Sequence, residues 1–258
     1  MRDNVANLFD LRGKRALVTG ASRGLGYAMA QGLGAAGATV ILNARHTGPL
    51  QTARKRLSDT GIEAHVADFD VADRERVDAV VTRIEENIGP IDILVNNAGI
   101  NRRAPVAECR DDDWQRVLDV NLNGPFHLCR IVGRGMMSRR RGKIINVTSL
   151  LSEAARPGIA PYTVSKGALK MFTRALAVEW GPYNIQVNAI GPGYFDTDMN
   201  APLVADPEFD RWVKSNVPAG RWGRPDDLAG AAIFFASAAS DFVTGQTLFV
   251  DGGWLANL

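Results

Sequence analysis

At 258 residues with 46% hydrophobic side chains, the chain can bury a sizeable core and lies near the top of the range for one α/β domain. Its 30 basic and 28 acidic residues leave a formal net charge of +2, which argues against the strong positive field of a nucleic-acid-binding surface and favours small-molecule chemistry. Cys109 and Cys129 fit neither metal nor redox spacing, and the most apolar segment, LAGAAIFFASAA, is too short to span a bilayer.

The opening MRDNVANLFDLRGK has no secretory apolar run, so a soluble cytoplasmic protein with reduced thiols and no membrane partner is expected. KRALVTG then reads as a first strand, short, apolar and closed by glycine. TGASRGLG follows it and opens the helical pattern LGYAMAQGLGAAG. Free N–H groups and the helix dipole favour a phosphate there. Gly20, Gly24 and Gly26 would give the tight turn, the close approach of a pyrophosphate and helix packing, although the spacing differs from GxGxxG.

The second strand, ATVILNA, ends without the Asp or Glu that would hold the ribose hydroxyls of NAD. Arg45 stands there instead, and Arg23 projects from the glycine loop, so two guanidinium groups could grip a 2′-phosphate. The expected cofactor is NADP, with NAD disfavoured. After the third strand, EAHVADF, Asp70 could reach the adenine or cap the helix that begins near Asp73.

RERVDAVVTRIEENIG carries apolar residues at helical spacing. IDILVNNAG is the fourth strand; its small terminal residues either underlie the cofactor or make a tight strand end. Arg102 and Arg103 follow at the same sheet edge, where one planar fork would suit a carboxylate and the other would face water. SRRRGK precedes the fifth strand, GKIINVTS, on the opposite edge and reads as a solvated turn. IQVNAIGPG and QTLFVDGG complete a set of seven strands. Residues 194–224 interrupt the alternation and read as a lid. Alternating strands and helices predict an α/β, single-domain, Rossmann-type doubly wound parallel sheet over residues 1–258, with helices on both faces.

Chemistry concentrates after the fifth strand. Tyr162 and Lys166 stand four apart and share a helix face, while Ser149 sits at the carboxyl edge where such sheets bind ligands. A phenol of pKa about 10 is a poor base, but a nearby ammonium and an oxidised nicotinamide would stabilise its phenolate. None of His46, His65 and His127 has ligand spacing, and no metal is expected.

TGASRGLG, NNAG, Asn121 in DVNLNG, Ser149, YTVSK and PGYFDTDM together resemble the short-chain dehydrogenase/reductase family over nearly the whole chain. The resemblance implies that Tyr162 transfers the proton, Ser149 orients the substrate carbonyl, Lys166 binds the nicotinamide ribose and Asn121 holds a relay water. It further implies cofactor contacts at Gly20, Ser22, Arg23, Gly24, Leu25 and Gly26, then at Arg45, Asp70, Asn97, Ala98 and Gly99. Tyr162, Lys166, Pro192, Gly193, Phe195 and Thr197 complete that set. Substrate would meet Arg102, Arg103, Ser149 and Tyr162. NLFDLRGKRALVTG, GYFDTDM and PAGRWGRPDDL are most similar to members that interconvert sugar acids and their keto forms, and the family implies a homotetramer. A reductase of other ketones, or a catalytically silent NADP sensor, remains open on the sequence.

Overall fold

Apolar, β-branched runs buried on both sides dictate the centre of the molecule. In the computed structural model, which describes residues 5–257, β1 (Arg15–Val18), β2 (Thr39–Ala44), β3 (Ala64–Asp68), β4 (Ile93–Asn96), β5 (Gly142–Val147), β6 (Ile185–Pro192) and β7 (Thr247–Val250) form one sheet. All neighbours pair in parallel, in the order β3-β2-β1-β4-β5-β6-β7. The seven expected strands are therefore all present. The first four residues of the MRDNVANLFDLRGK segment and the last residue of the chain lie outside the described residues.

The strand period of two sends alternate residues into two cores. Val18, Val40, Leu42 and Ile145 pack with Leu33, Leu50, Leu57 and Phe235 on one face, which is covered by α1 (Gly24–Ala35), α2 (Thr47–Ser58) and α9 (Ala229–Ala236). Their neighbours Leu17, Ile41, Leu94 and Ile144 pack with Val77, Leu128, Val132 and Leu176 on the other. That face belongs to α3 (Arg74–Asn87), α5 (Gly124–Arg139) and α6 (Ala160–Trp180); α4 (Asp111–Leu118) leads into α5. A one-residue slip of any central strand would exchange its two faces, so burial on both sides fixes the register.

Chain order reverses beside β1, with β2 on one side and β4 on the other, and this opens a crevice at the carboxyl ends of the strands. A third, smaller core lies above that edge. Tyr194, Val213, Val217 and Trp222 pack there with Leu150, Phe209 and Trp254, gathered by α7 (Ala201–Val204) and α8 (Pro207–Asn216). A bridge between Phe195 and Gly223 closes the base of this segment.

At the opposite edge the expected solvated turn is more engaged than its charge suggested. Arg139 donates to the Ile91 carbonyl at 2.9 Å and Arg140 to the Pro182 carbonyl at 2.6 Å, while Arg141 meets Asp92 at 3.3 Å. Arg139 and Arg140 thus satisfy loop carbonyls that no strand reaches, and Arg141 pairs with the buried Asp92 carboxylate.

Candidate active site

The glycine loop owes its shape to contacts no larger residue could make. A Cβ at Gly26 would lie 2.4 Å from the Gly20 carbonyl oxygen, and Gly20 itself adopts φ +63°. α1 begins at Gly24 with no side-chain cap, so its first N–H groups are left for a ligand. Asn97 clamps the loop from β4: its Nδ2 donates to the Thr19 and Gly20 carbonyls at 2.8 and 3.2 Å. The Thr19 hydroxyl in turn accepts the N–H groups of Asn97 and Ala98. The first asparagine of NNAG braces the sheet, since Asn96 donates to Asn146, and Asn146 to Thr173 on α6, each at 2.9 Å.

One cleft of about 620 Å³ runs from this loop to the segment 194–224. Every candidate cofactor and substrate residue lines it: Gly20, Ser22, Arg23, Gly24, Leu25 and Gly26 at one end, with Arg45 and Asp70 beside them. Asn97, Ala98, Gly99, Arg102 and Arg103 form the floor and one wall, and Ser149, Tyr162 and Lys166 the centre. Pro192, Gly193, Phe195 and Thr197 close the far side. Asn121, the remaining candidate, is fully buried behind the wall.

Asn121 sits in a π-helical turn, Asp119–Asn123, between α4 and α5, a distortion that often marks functional sites. Its Oδ1 accepts the Ile100 N–H at 2.9 Å, and its Nδ2 donates to the Ile100 carbonyl at 2.9 Å and to the Ser165 hydroxyl at 3.0 Å. Both amide protons are committed, so its side chain retains one acceptor lone pair.

Lys166 is buried and donates to the Val147 carbonyl at 2.6 Å, with its Nζ 5.7 Å from the centre of the Tyr162 ring. Burial pushes its pKa down to about 8, which leaves it mostly cationic at neutral pH. The tyrosine shifts in the opposite direction. Burial raises the Tyr162 phenol above its usual value while the Ser149 hydroxyl pulls it back. Ser149 also accepts the Leu151 N–H at 3.2 Å, which fixes its rotamer at the end of β5.

Arg45 lines the cleft beyond β2, whereas Arg23 forms an exposed ion pair with Asp198 of the segment 194–224 at 3.0 Å. Asp70 is not the helix cap: Asp73 caps α3 by accepting the Arg76 N–H. The Asp70 carboxylate accepts the Ala72 N–H and pairs with Arg116. Burial opposes its ionisation, but the Ala72 N–H, Arg116 and Arg45 hold its pKa below the ordinary value. Arg102 turns to Asp113 at 3.5 Å. Residues that sequence reasoning did not single out also reach the cleft, among them Arg116, Arg156, Tyr194 and Asp198.

Away from the cleft, Cys109 and Cys129 are both free, and burial pushes the Cys129 thiol up to about 12. His65 lies beside Glu63 on the surface, and the His127 Nδ1 is buried without a partner. No cluster of metal-ligating side chains occurs among the described residues. Nor is any described helix long and apolar enough to cross a membrane.

A hydroxyl, a phenol and an ammonium at the carboxyl edge of a doubly wound sheet, beside a glycine-rich turn, define a dinucleotide-dependent oxidoreductase site. A family model described as enoyl-(acyl carrier protein) reductase matches residues 20–255, and the chain belongs to the short-chain dehydrogenase/reductase family. It is 50% identical over 252 residues to gluconate 5-dehydrogenase of Gluconobacter oxydans (strain 621H), covering 98% of each chain. It is 47% identical over 254 residues to 2-dehydro-3-deoxy-D-gluconate 5-dehydrogenase of Formosa agariphila, covering 98% of this chain and 96% of that one. Among solved structures, gluconate 5-dehydrogenase from Burkholderia cenocepacia J2315 in complex with NADP and tartrate superposes with a TM-score of 0.96. It is 49% identical, with 99% of this chain and 100% of that chain covered.

Proposed function

We propose that the protein interconverts D-gluconate and 5-keto-D-gluconate with NADP. The observation that carries this reading is a single cleft in which Ser149, Tyr162 and Lys166 stand among arginines, with no acid at the end of β2. The gluconate 5-dehydrogenases that share about half of its sequence support the substrate, and tartrate, held by one of them, is itself a hydroxy acid.

The protein suits the cofactor by shape. A Cβ would fill the turn at Gly26, and the uncapped start of α1 faces the same space, so the pyrophosphate would rest on Ser22, Gly24 and Leu25. Arg45 and Arg23 would hold the 2′-phosphate, Arg23 exchanging Asp198 for it. Asp70 would meet the adenine and Lys166 the nicotinamide ribose. Pro192, Gly193 and Thr197 would flank the nicotinamide. Bound NADPH supplies the hydride, and NADP accepts it in the reverse direction.

In reduction, Ser149 Oγ would donate to the ketone oxygen and hold it beside Tyr162 Oη, which gives up its proton as the alkoxide forms. The raised phenol pKa keeps that proton in place at neutral pH. Oxidation asks for the opposite, and here the cationic Lys166 and the positive charge of the oxidised cofactor would stabilise the phenolate. Asn121 would act chiefly by position, bracing the Ile100 loop against α6, with one Oδ1 lone pair left for a relay water. Residues 194–224 would form a lid over a domain spanning residues 1–258, supported by their own small core above the cleft.

The chain would assemble as a homotetramer: Val164, Met171 and Val178 repeat every seven residues along α6 and are exposed, as is Phe126 on α5. Its partners would then be sugar acids and its own copies, in the cytoplasm. The Formosa relative favours a second reading, oxidation of 2-dehydro-3-deoxy-D-gluconate at C5. Initial rates with D-gluconate and with 2-dehydro-3-deoxy-D-gluconate, each with NADP and NAD, separate the two. A kcat/KM at least tenfold higher for D-gluconate with NADP is expected, and a reversed order would replace the first reading by the second.

A further inference from the structure

Arg156 lies between Ser149 and Tyr162 in the chain and lines the same cleft. Its guanidinium carbon stands 4.7 Å from the centre of the Phe209 ring, 5.6 Å from Trp212 and 5.9 Å from Tyr194. Stacking of that kind covers the faces of the guanidinium plane and leaves the in-plane N–H groups unused. One of them, on Nη1, donates to the Tyr194 hydroxyl at 3.1 Å. Having accepted this bond, the Tyr194 oxygen still carries a proton to donate. Tyr194 cannot swing away, because Phe209, Trp212, Trp222 and Trp254 surround its ring at 5.0 to 5.9 Å.

Arg103 lines the same cleft and adds a second positive charge whose field acts on Tyr194. Neither Arg103 nor Arg156 forms an ion pair among the described residues, in contrast with Arg102, which Asp113 engages. The corner thus offers two guanidinium forks and a phenolic proton, all of them donors, to whatever enters the cleft. A carboxylate offers only acceptors and suits a planar fork.

We propose that Arg156, together with the Tyr194 hydroxyl and Arg103, binds the carboxylate of the substrate and so determines specificity for sugar acids over neutral sugars. The assignment rests on the sugar-acid reading above, and it chooses Arg103 over Arg102 and adds Arg156 at the base of the proposed lid. Because Arg156 also packs on lid rings, a purely structural role has to be distinguished from recognition. An uncharged analogue does this, since it uses the same lid and the same reacting carbonyl.

The test is steady-state reduction of 5-keto-D-gluconate and of its uncharged amide, at saturating NADPH, by the wild-type protein and by Arg156→Met and Tyr194→Phe. NADPH binding, followed by fluorescence, verifies that each variant is folded. Loss of a charge-assisted contact is expected to raise KM for the acid about 30-fold in Arg156→Met, with kcat within about threefold of wild type. The amide should change less than about threefold. Tyr194→Phe keeps the ring packing and should raise KM for the acid about five-fold. Equal losses on acid and amide, in a wild-type protein that prefers the acid, would overturn the assignment of Arg156 and leave the sugar-acid reading standing. A wild-type protein that turns over the amide as well as the acid would overturn both.

Discussion

Tyr162 and Lys166 share one desolvated pocket, and burial moves them in opposite directions, the phenol up and the ammonium down to about 8. On the proposed chemistry the phenol is the sole proton donor to the ketone, so Tyr162→Phe should lower kcat for reduction by about a thousandfold. Its Kd for NADPH should stay within about threefold of wild type, and near-normal turnover would contradict the role. The lysine sets a pH limit whose sign follows from its depressed pKa. Below about 8 it is charged and can hold the ribose hydroxyls and the phenolate; above that value it loses its proton. The kcat/KM for NADPH at saturating ketone, which reports the free protein, should therefore fall as pH rises through about 8. Lys166→Arg, which cannot deprotonate in that range, should flatten the alkaline limb at a lower overall rate. A wild-type profile level to pH 10 would show that the charge on Lys166 is not required.

On the proposed reading, the turn that follows β2 and the glycine loop that follows β1 would share the task of choosing between the two dinucleotides. β2 brings Arg45 to the cleft where an acid would otherwise meet ribose hydroxyls, and Arg23 is tied to Asp198 across the mouth. An exposed pair of this kind contributes about 1 kcal/mol or less, so a doubly charged phosphate can displace the carboxylate. Arg45→Ala should raise KM for NADPH about 10- to 100-fold and leave KM for NADH within about threefold. Equal changes for the two cofactors would mean that the loop senses something other than the 2′-phosphate.

For the molecule as a whole, assembly and legibility belong together. The exposed row of Val164, Met171 and Val178 on α6 has the seven-residue spacing of a helix that packs along its length. Met171→Asp would place a charge in the proposed interface and should reduce the four-chain mass in solution to a smaller species, as read by light scattering. An unchanged mass would move the interface elsewhere. The sheet was legible because short apolar, β-branched runs closed by turn residues are local signals; β6, buried at all eight residues, is apolar except at Gln186 and Asn188. Ser149, Tyr162 and Lys166 were legible for a related reason, since helix geometry and strand ends place them without long-range knowledge. Arg156 was not, because its meaning comes from Tyr194, 38 residues further along, and from rings gathered in the small core above the sheet edge. The desolvation of Tyr162 was not legible either, because spacing reveals a nearby cation but not the burial around both groups. Whether Asp70 reaches a ligand or caps α3 was open on the sequence, because a carboxylate just before a helix suits either role, and only the folded chain shows Asp73 at the cap and Arg116 beside Asp70.

Oxidation of NADPH by the wild-type protein with 5-keto-D-gluconate, measured beside NADH with the same ketone, tests the central claim most directly. The account predicts turnover with both ligands saturable and a kcat/KM for NADPH at least about tenfold above that for NADH. No turnover with NADPH, or a preference for NADH, would contradict it.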